Sequence, residues 1–580
     1  MIDDPIAAPP RRRVVLALIL LPAVVQAVTV AAFGSRMLLW DEFFYTPVFR
    51  AIGEGRPWAL WIWHQHNEHR IVWTKLVFFA HAGFSGWNPI VDMYVSALLT
   101  ALIAWGLWKL YRETGSAHPA YFVPVSLLLC SLAQYMNMLY GLMTCHYFTM
   151  AGMIWAIVFL LRRTWTGLAA AIACAAAALV STLNAIVIAP IGLLVLVMTR
   201  QKPARWIVWS AALLGCAYVY FLGYVRPGQH PPIDWSPAAL ALAADAFVMN
   251  LGSPLSAGSL AWSRALGLMT VVLLAVFWSS VWSLNRRESH AGTVALSLIA
   301  VGSAAAIGLG RSALEPYVAL ESKYVGYSTL ALVGPYLGLV CLRDLRGRRE
   351  IVGGLTAVIG VGLIAANMAG FESARTWRRD RQRSAYVMQT IERQPDYGVV
   401  SIFNLPEKLP EIYDGVAYLR AARLGPFRET IDVLIAPRWR EGQPTSAIAA
   451  GSPLQAHIVC PVDTLVDVGL IVSPLTTGAA RGQVQVSVTA RGRAIGHAQI
   501  DAREVRTTQY IRVDLDEPLL FCRGSDLVVE ATSDVAAPAA AIHSWTYPVY
   551  YAGVTRQGGR PIDRQSLGVT FNAFSYGLLQ

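Results

Sequence analysis

Residues 11–45 read RRRVVLALILLPAVVQAVTVAAFGSRMLLWDEFFY. Three arginines lead into an apolar run that extends to about Phe33, and the acidic pair Asp41-Glu42 follows shortly after. The run is long enough to cross roughly 30 Å of hydrocarbon. No clear small-residue cleavage site precedes the polar segment, so it reads as a retained anchor rather than a signal peptide. Carboxylates at such a boundary are functional candidates, because desolvating them is costly unless they are paired or hydrated.

The same reading repeats along the chain. With 580 residues, 55% of them hydrophobic and 14% charged, the composition is that of a polytopic membrane protein with room for one soluble domain. Apolar runs lie near 13–34, 90–109, 120–137, 146–161, 165–182, 184–199, 205–224, 262–284, 291–309, 325–342 and 351–369. That is about eleven spans. Only Ser181–Asn184 separates the fifth run from the sixth. Alternate short loops carry Arg11–Arg13, Lys109 and Arg112, Arg162-Arg163, Arg200, Lys202 and Arg205, Arg286-Arg287, and Arg343 to Arg349. An odd number of spans gathers all of these on one side, which the positive-inside rule makes cytoplasmic. This accounts for the net charge of +11 without nucleic acid. The loop bearing Asp41, loops 137–145, 225–261 and 310–324, and the tail from about 371 are then expected outside.

The tail changes character. Residues 371–395 read as a charged helix leaving the membrane, and a mixed helical connector extends to about 428. Beyond it the pattern alternates, as in Val484–Ala490, Tyr510–Leu515, Asp526–Glu530 and Leu567–Phe571. Period-2 runs broken by turn residues predict an antiparallel, jelly-roll-like β-sandwich. The expected division is therefore a transmembrane part (1–370), a connector (371–428) and a sandwich (429–580). Five of the seven cysteines lie in or beside spans, and Cys460 and Cys522 lie in the sandwich. An oxidising exterior permits a disulfide between those two if their Cα atoms come within about 6 Å.

Candidate chemistry gathers in the expected outer loops. Asp41 suits a general base for an acceptor hydroxyl, with Glu42 beside it; the plainer alternative is a polar helix end paired with Arg36 or Arg70. The knot His64-Gln65-His66-Asn67-Glu68-His69-Arg70 holds potential metal ligands, without the spacing of a closed zinc site or a His-Glu-x-x-His helix. His66 with Glu68 or His69 can hold a divalent cation such as Mg or Mn, or merely orient the loop. Residues 71–81 read as an amphipathic helix, and Trp58, Trp61, Trp63, Trp73 and Trp87 suit an interfacial belt or a sugar-stacking surface. Around 310–328, Arg311 and Lys323 can neutralise a phosphate, Arg311 bidentately, with Tyr324 and Tyr327 adding hydroxyls. The alternative there is pairing of those cations with Glu315 or Glu321. Arg70 is a third candidate for an anionic headgroup. Arg226, His230, Tyr140 and His146 are further candidates for the same cavity.

Together these pieces resemble the GT-C superfamily of membrane glycosyltransferases, in its uncharacterised bacterial branch. The resemblance covers the topology of residues 1–370, the Trp40-Asp41-Glu42 position, the string Gln65–Ile71, the Ser322-Lys323-Tyr324…Ser328 segment and a carbohydrate-binding-like tail. It implies an inverting transfer of a sugar from a polyprenyl-phosphate donor to an envelope glycan or lipid acceptor. The reaction would run on the outer face of a bacterial cytoplasmic (inner) membrane, with the N-terminus cytoplasmic and the tail periplasmic. Asp41 would take the acceptor proton, and Arg311, Lys323 or Arg70 would stabilise the departing phosphate. In some members a divalent metal bridges the acidic pair and the phosphate.

The chain shows no P-loop, dinucleotide turn, nucleophile elbow or Cys-x-x-Cys, so a nucleotide donor has no recognisable seat. The rival readings are a lipid-linked sugar transporter or flippase, which calls for ionisable groups or broken helices near the midplane, and a non-enzymatic polysaccharide-binding envelope assembly protein.

Overall fold

The computed structural model describes residues 12–115, 118–227, 234–311, 318–389, 391, 408–427, 442–460, 464–474, 482–520, 522, 524–535, 542–548, 553–562 and 565–573. His230, Glu315 and Tyr317 lie outside the described residues. Two compact units emerge: one holds residues up to Ser35 and Ala51–Trp377, the other Arg36–Arg50 and Arg378–Gln580. The boundary near 370 expected from the sequence falls seven residues later, and the Asp41 segment belongs with the tail.

The first unit is helical. After α1 (Arg12–Phe33) come the short α2 (Trp40–Phe43), α3 (Thr46–Gly53) and α4 (Ala59–Ile62), then α5 (Val72–Ser85) and α6 (Pro89–Glu113). Next are α7 (Val123–Leu129), α8 (Tyr135–Leu139), α9 (Thr144–Leu160), α10 (Trp165–Leu179), α11 (Ile188–Met198) and α12 (Pro203–Phe221). The remainder are α13 (Pro237–Gly252), α14 (Leu260–Ser283), α15 (Ala291–Arg311), α16 (Val325–Cys341) and α17 (Arg348–Gln389), which continues past the unit boundary. Among the described residues ten helices are long and apolar enough to cross a membrane, which makes this a multi-pass membrane protein. The close pair α10 and α11 falls short on length.

Helix α13 was not expected, since residues 225–261 read as a loop. Its partners explain the difference. A Cβ on Gly267 would meet Val248 O at 1.9 Å, and one on Gly308 would meet Ala243 O at 2.6 Å. The Asn250 side chain bonds Ser328 Oγ at 2.6 Å and Ala319 O at 2.9 Å. Gly267 lies in the first third of α14, Gly308 in the last turn of α15 and Ser328 in the first turn of α16, so α13 packs across one end of these antiparallel helices. Bare glycines let the backbones approach this closely.

Every residue of α16 from Val325 to Val340 is buried, which makes it the central helix. Buried polar pairs join other parts of the bundle: Thr100 to Gln26 (2.6 Å), Ser96 to Thr144 (2.8 Å) and Thr149 to Thr182 (2.9 Å). His81 Nε2 lies 2.9 Å from Asp92 Oδ2 and its Nδ1 lies 2.7 Å from Ser85 Oγ, a buried clasp between α5 and α6. At one end of the bundle, loops after α9, α14 and α16 meet through Arg163–Glu288 and Arg286–Asp344. The opposite end carries Arg311 and Lys323.

In the second unit, α18 (Leu409–Ala421) precedes an antiparallel β domain. Its strands are β1 (Gln443–Pro444), β2 (Leu454–Val459), β3 (Thr464–Pro474), β4 (Gln483–Ala490), β5 (Arg493–Asp501) and β6 (Gln509–Leu520). They continue as β7 (Asp526–Ser533), β8 (Ile542–Pro548), β9 (Gly553–Gln557), β10 (Arg560–Pro561), β11 (Gln565–Leu567) and β12 (Val569–Ala573). The order is β1-β8-β3-β6-β5-β4-β7-β2-β9-β10, with β11 on β8 and β12 on β3. Two strand groups join where Gly496 faces Leu515, so the expected sandwich is one curled sheet, a half-barrel. Alternation holds the core: Val486 and Val488 on β4 face Ala531 and Val529 on β7, all buried.

Cys460 and Cys522 form the expected disulfide, with Cα atoms 5.8 Å apart across 62 residues. Closing a loop of that length stabilises by about 4 kcal/mol in the chain-entropy account. Cys460→Ser is therefore expected to lower the unfolding temperature of the β domain in thermal denaturation, and dithiothreitol should lower the wild type equally without further effect on the variant.

Candidate functional site

The knot at 64–71 is a tight hairpin. His66 N donates to His69 O (2.7 Å) and His69 N to His66 O (2.8 Å). Asn67 turns the corner at φ 48°, a left-handed conformation that asparagine tolerates better than most residues. Gln65 fastens the hairpin to the chain after α12, donating to Val225 O (2.5 Å) and accepting from Val225 N (3.0 Å).

Arg70 does not face outward as a phosphate ligand. Its Nε and Nη2 donate to Tyr220 O (3.3 and 2.9 Å), Nη2 also to Leu222 O (2.8 Å), and Nη1 to Trp63 O (2.9 Å). Tyr220 and Leu222 are at the C-terminal end of α12, where helix carbonyls lack intrahelical donors, and a guanidinium fork satisfies them. Arg70 is thus a buried clamp. Lys75 was missed by the sequence reading: its Nζ caps the carbonyls of His64 and Ile62 from below the knot. Burial, and secondly the Arg70 charge, push its pKa down to about 7.

Held this way, the hairpin presents Glu68 and His69 to the Arg311 end of α15. Glu68 Oε1 is ion-paired with Arg311 Nη2, and His69 Nε2 lies 3.6 Å from the same oxygen. His69 Nδ1 accepts the Leu183 N–H at 3.1 Å, so Nε2 carries the proton of the neutral ring. Lys323 pairs with Glu321, as one of the two sequence alternatives had it, and its ammonium lies 5.2 Å from the Tyr324 ring centroid.

The chain around Lys323 is fixed by a break in the helices opposite. Between α7 and α8 the chain is not α-helical, and Ser322 Oγ donates to Ala133 O (2.8 Å) and accepts from Met136 N (3.1 Å). Asn137 Nδ2 donates to Lys323 O at 3.0 Å. His146 Nδ1 is 3.0 Å from the Tyr327 hydroxyl and within electrostatic reach of His69, Lys323 and Arg311. Glu68, His69, His146, Arg311, Lys323, Tyr324 and Tyr327 therefore form one cluster. Tyr140 lies elsewhere, its ring 6.2 Å from that of Trp377.

The four charged side chains are between 17% and 37% exposed, so water reaches ion pairs that are not deeply desolvated. An incoming phosphate can then replace a carboxylate on either cation, Arg311 offering two parallel N–H donors. The donor set does not suit a divalent cation: His69 Nδ1 already takes a backbone N–H, Glu68 takes Arg311, and two fixed cations stand alongside. Among the described residues no three His, Cys, Asp or Glu side chains are placed to hold a metal ion.

Asp41 and Glu42 occupy the first turn of α2 in the second unit. Trp40 enters it at φ 35°, a strained conformation for an aromatic residue, with the Arg381 guanidinium 5.1 Å from its ring centroid. Glu42 is buried and its Oε2 accepts the Leu39 N–H at 3.4 Å, the geometry of a helix-end cap. Asp41 is half-buried. Comparison with known protein families, with curated proteins and with solved structures finds no match for this chain.

Burial holds the His69 pKa down at about 4 despite the neighbouring Glu68; the charges of His66, Arg311 and Lys323 lower it further. A ring kept neutral in the fold but free to protonate when unfolded stabilises fully above about pH 6.5, and that stability is lost as pH falls towards about 4. His69→Asn keeps an acceptor without a titrating group. Its unfolding temperature is expected to fall less between pH 7 and pH 5 than that of the wild type, measured by differential scanning fluorimetry.

Proposed function

We propose that the chain is an inverting glycosyltransferase that moves a sugar from a polyprenyl-phosphate donor to an envelope glycan or lipid acceptor at the outer face of the membrane. The observation that carries this reading is the Arg311–Glu68 and Lys323–Glu321 cluster, which gathers two cations at one end of a predominantly apolar bundle. A lipid-borne phosphate is the anion best suited to such a place, because its charge stays at the boundary while its chain remains in hydrocarbon.

A groove for that chain is at hand. A cavity of about 580 Å³ between α14 and α17 is lined by Leu255, Leu266, Met269, Leu273, Val276 and Val358, and by Leu251 and Gly252 of α13. Asn250, the next residue of α13, bonds Ala319 and Ser328 on the side of the charged cluster.

In this mechanism Asp41 accepts the proton of the acceptor hydroxyl as its oxygen bonds to the anomeric carbon. The bond from that carbon to the phosphate oxygen breaks, its electron pair leaves with the phosphate, and Arg311 and Lys323 stabilise the growing charge. No step is assigned to a metal.

Losing a charge-assisted contact to phosphate removes about 1.5–3 kcal/mol, roughly ten- to a hundredfold in affinity. Arg311→Ala and Lys323→Ala are expected to weaken binding of undecaprenyl phosphate to the nanodisc-reconstituted protein by that factor; unchanged affinity in both would refute the phosphate site. Asp41→Asn should bind undecaprenyl phosphate normally yet leave the envelope glycan profile, read by mass spectrometry, like that of a deletion strain. A wild-type profile at normal protein level would remove Asp41 as the base.

A further inference from the structure

The segment Arg36–Arg50 that carries the acidic pair belongs to the same compact unit as residues 378–580, hundreds of residues away. Its helices are short: α2 has four residues and α3, which it shares with the following chain, has eight, too few to persist alone. What orders it is a set of contacts from the tail, and none of those described below involves the Asp41 side chain.

Three contacts bracket Asp41. On its N-terminal side the Arg381 guanidinium covers the Trp40 ring, 5.1 Å from the centroid. On its C-terminal side Phe43, 1% exposed, lies against α18 so closely that a Cβ on Gly415 would meet Phe43 Cζ at 2.7 Å. That distance is shorter than carbon atoms tolerate, so glycine is required for the ring to lie there. At the far end Arg50 Nη1 pairs with Asp414 Oδ2 (2.8 Å), Nη2 donates to Asp414 O (3.1 Å), and the guanidinium lies 5.1 Å from the Tyr418 ring centroid. The Arg50–Asp414 pair is largely exposed and contributes little to stability. Its geometry matters instead, because Asp414 is the residue next to Gly415, so Arg50 and Phe43 register the segment on the same turn of α18.

We infer that α18 and Arg381 form a cradle that positions the Asp41 loop, with Gly415, Phe43, Arg50 and Arg381 as positioning residues and the tail a working part of the transferase. This rests on the reading of Asp41 as base. Displacing a reacting group by about 1 Å costs on the order of a hundredfold in rate, so small changes in the cradle should be visible in product while the charged cluster in the bundle is untouched.

The test uses the full-length chain. Gly415→Ala is expected to cut the envelope glycan product, by mass spectrometry, roughly tenfold or more. It should leave undecaprenyl phosphate affinity in nanodiscs unchanged and speed hydrogen–deuterium exchange in residues 37–49. Gly415→Ala with Phe43→Leu restores room for the added methyl group and should recover product and protection together. Arg50→Asp should loosen the same peptide, and Arg50→Asp with Asp414→Arg should tighten it again. Loss of phosphate affinity in parallel with product would mean general misfolding and overturn the inference. So would unchanged product in Gly415→Ala while Asp41→Asn is inactive. A fully active Asp41→Asn is a different result: it defeats the base reading, and the exchange pattern with its two rescues still decides whether the cradle sets the loop.

Discussion

A hydrocarbon slab offers no hydrogen bonds, so each backbone N–H and C=O within it needs a partner from the chain itself. This constraint decides where the protein departs from regular helix. The predicted span 120–137 is broken after Leu129, and the freed groups are taken by Ser322, by Asn367, whose Oδ1 accepts the Leu132 N–H at 2.9 Å, and by Gln134, which donates to Leu129 O at 2.9 Å. The break occurs where such partners converge, and they converge beside Lys323. Irregular backbone and charged cluster are thus two results of one arrangement.

The first loop obeys the same rule from the other side. Arg70 and Lys75, two cations that would suit an anionic ligand if only residue type were considered, are turned onto carbonyls at the ends of α12 and α4. That leaves Glu68 and His69 as the groups the hairpin offers to its surroundings. With His69 neutral, the charges on Arg311, Lys323, Glu68 and Glu321 balance, so the cluster exerts little net attraction on an anion at long range.

Much of the fold was legible in the sequence because it is written in local periodicity. Long apolar runs gave the spans and alternation gave β4 and β7. Helix α13 was hidden because it follows a polar stretch around 226–236 and carries Asp245, whose charge is met by Arg264 at 2.7 Å on a neighbouring helix. The grouping of Glu68, His69, Arg311, Lys323 and Tyr324 could be suggested from residue types on neighbouring loops. The role of Arg70 could not, since most of its partners are backbone atoms some 150 residues away. Nor could the curling of the sheet, which depends on the join between Gly496 and Leu515, or the membership of the Asp41 segment in the tail, which depends on contacts with Arg381 and α18.

That last contact spans 364 residues of chain. At about 5–20 residues per second of synthesis, Arg50 leaves the ribosome roughly 20–70 s before Asp414 does. For that interval the acidic loop has no cradle. The order of the polypeptide therefore acts as a timer: the loop with the proposed base acquires its conformation only after the whole bundle and the first turns of α18 have been made.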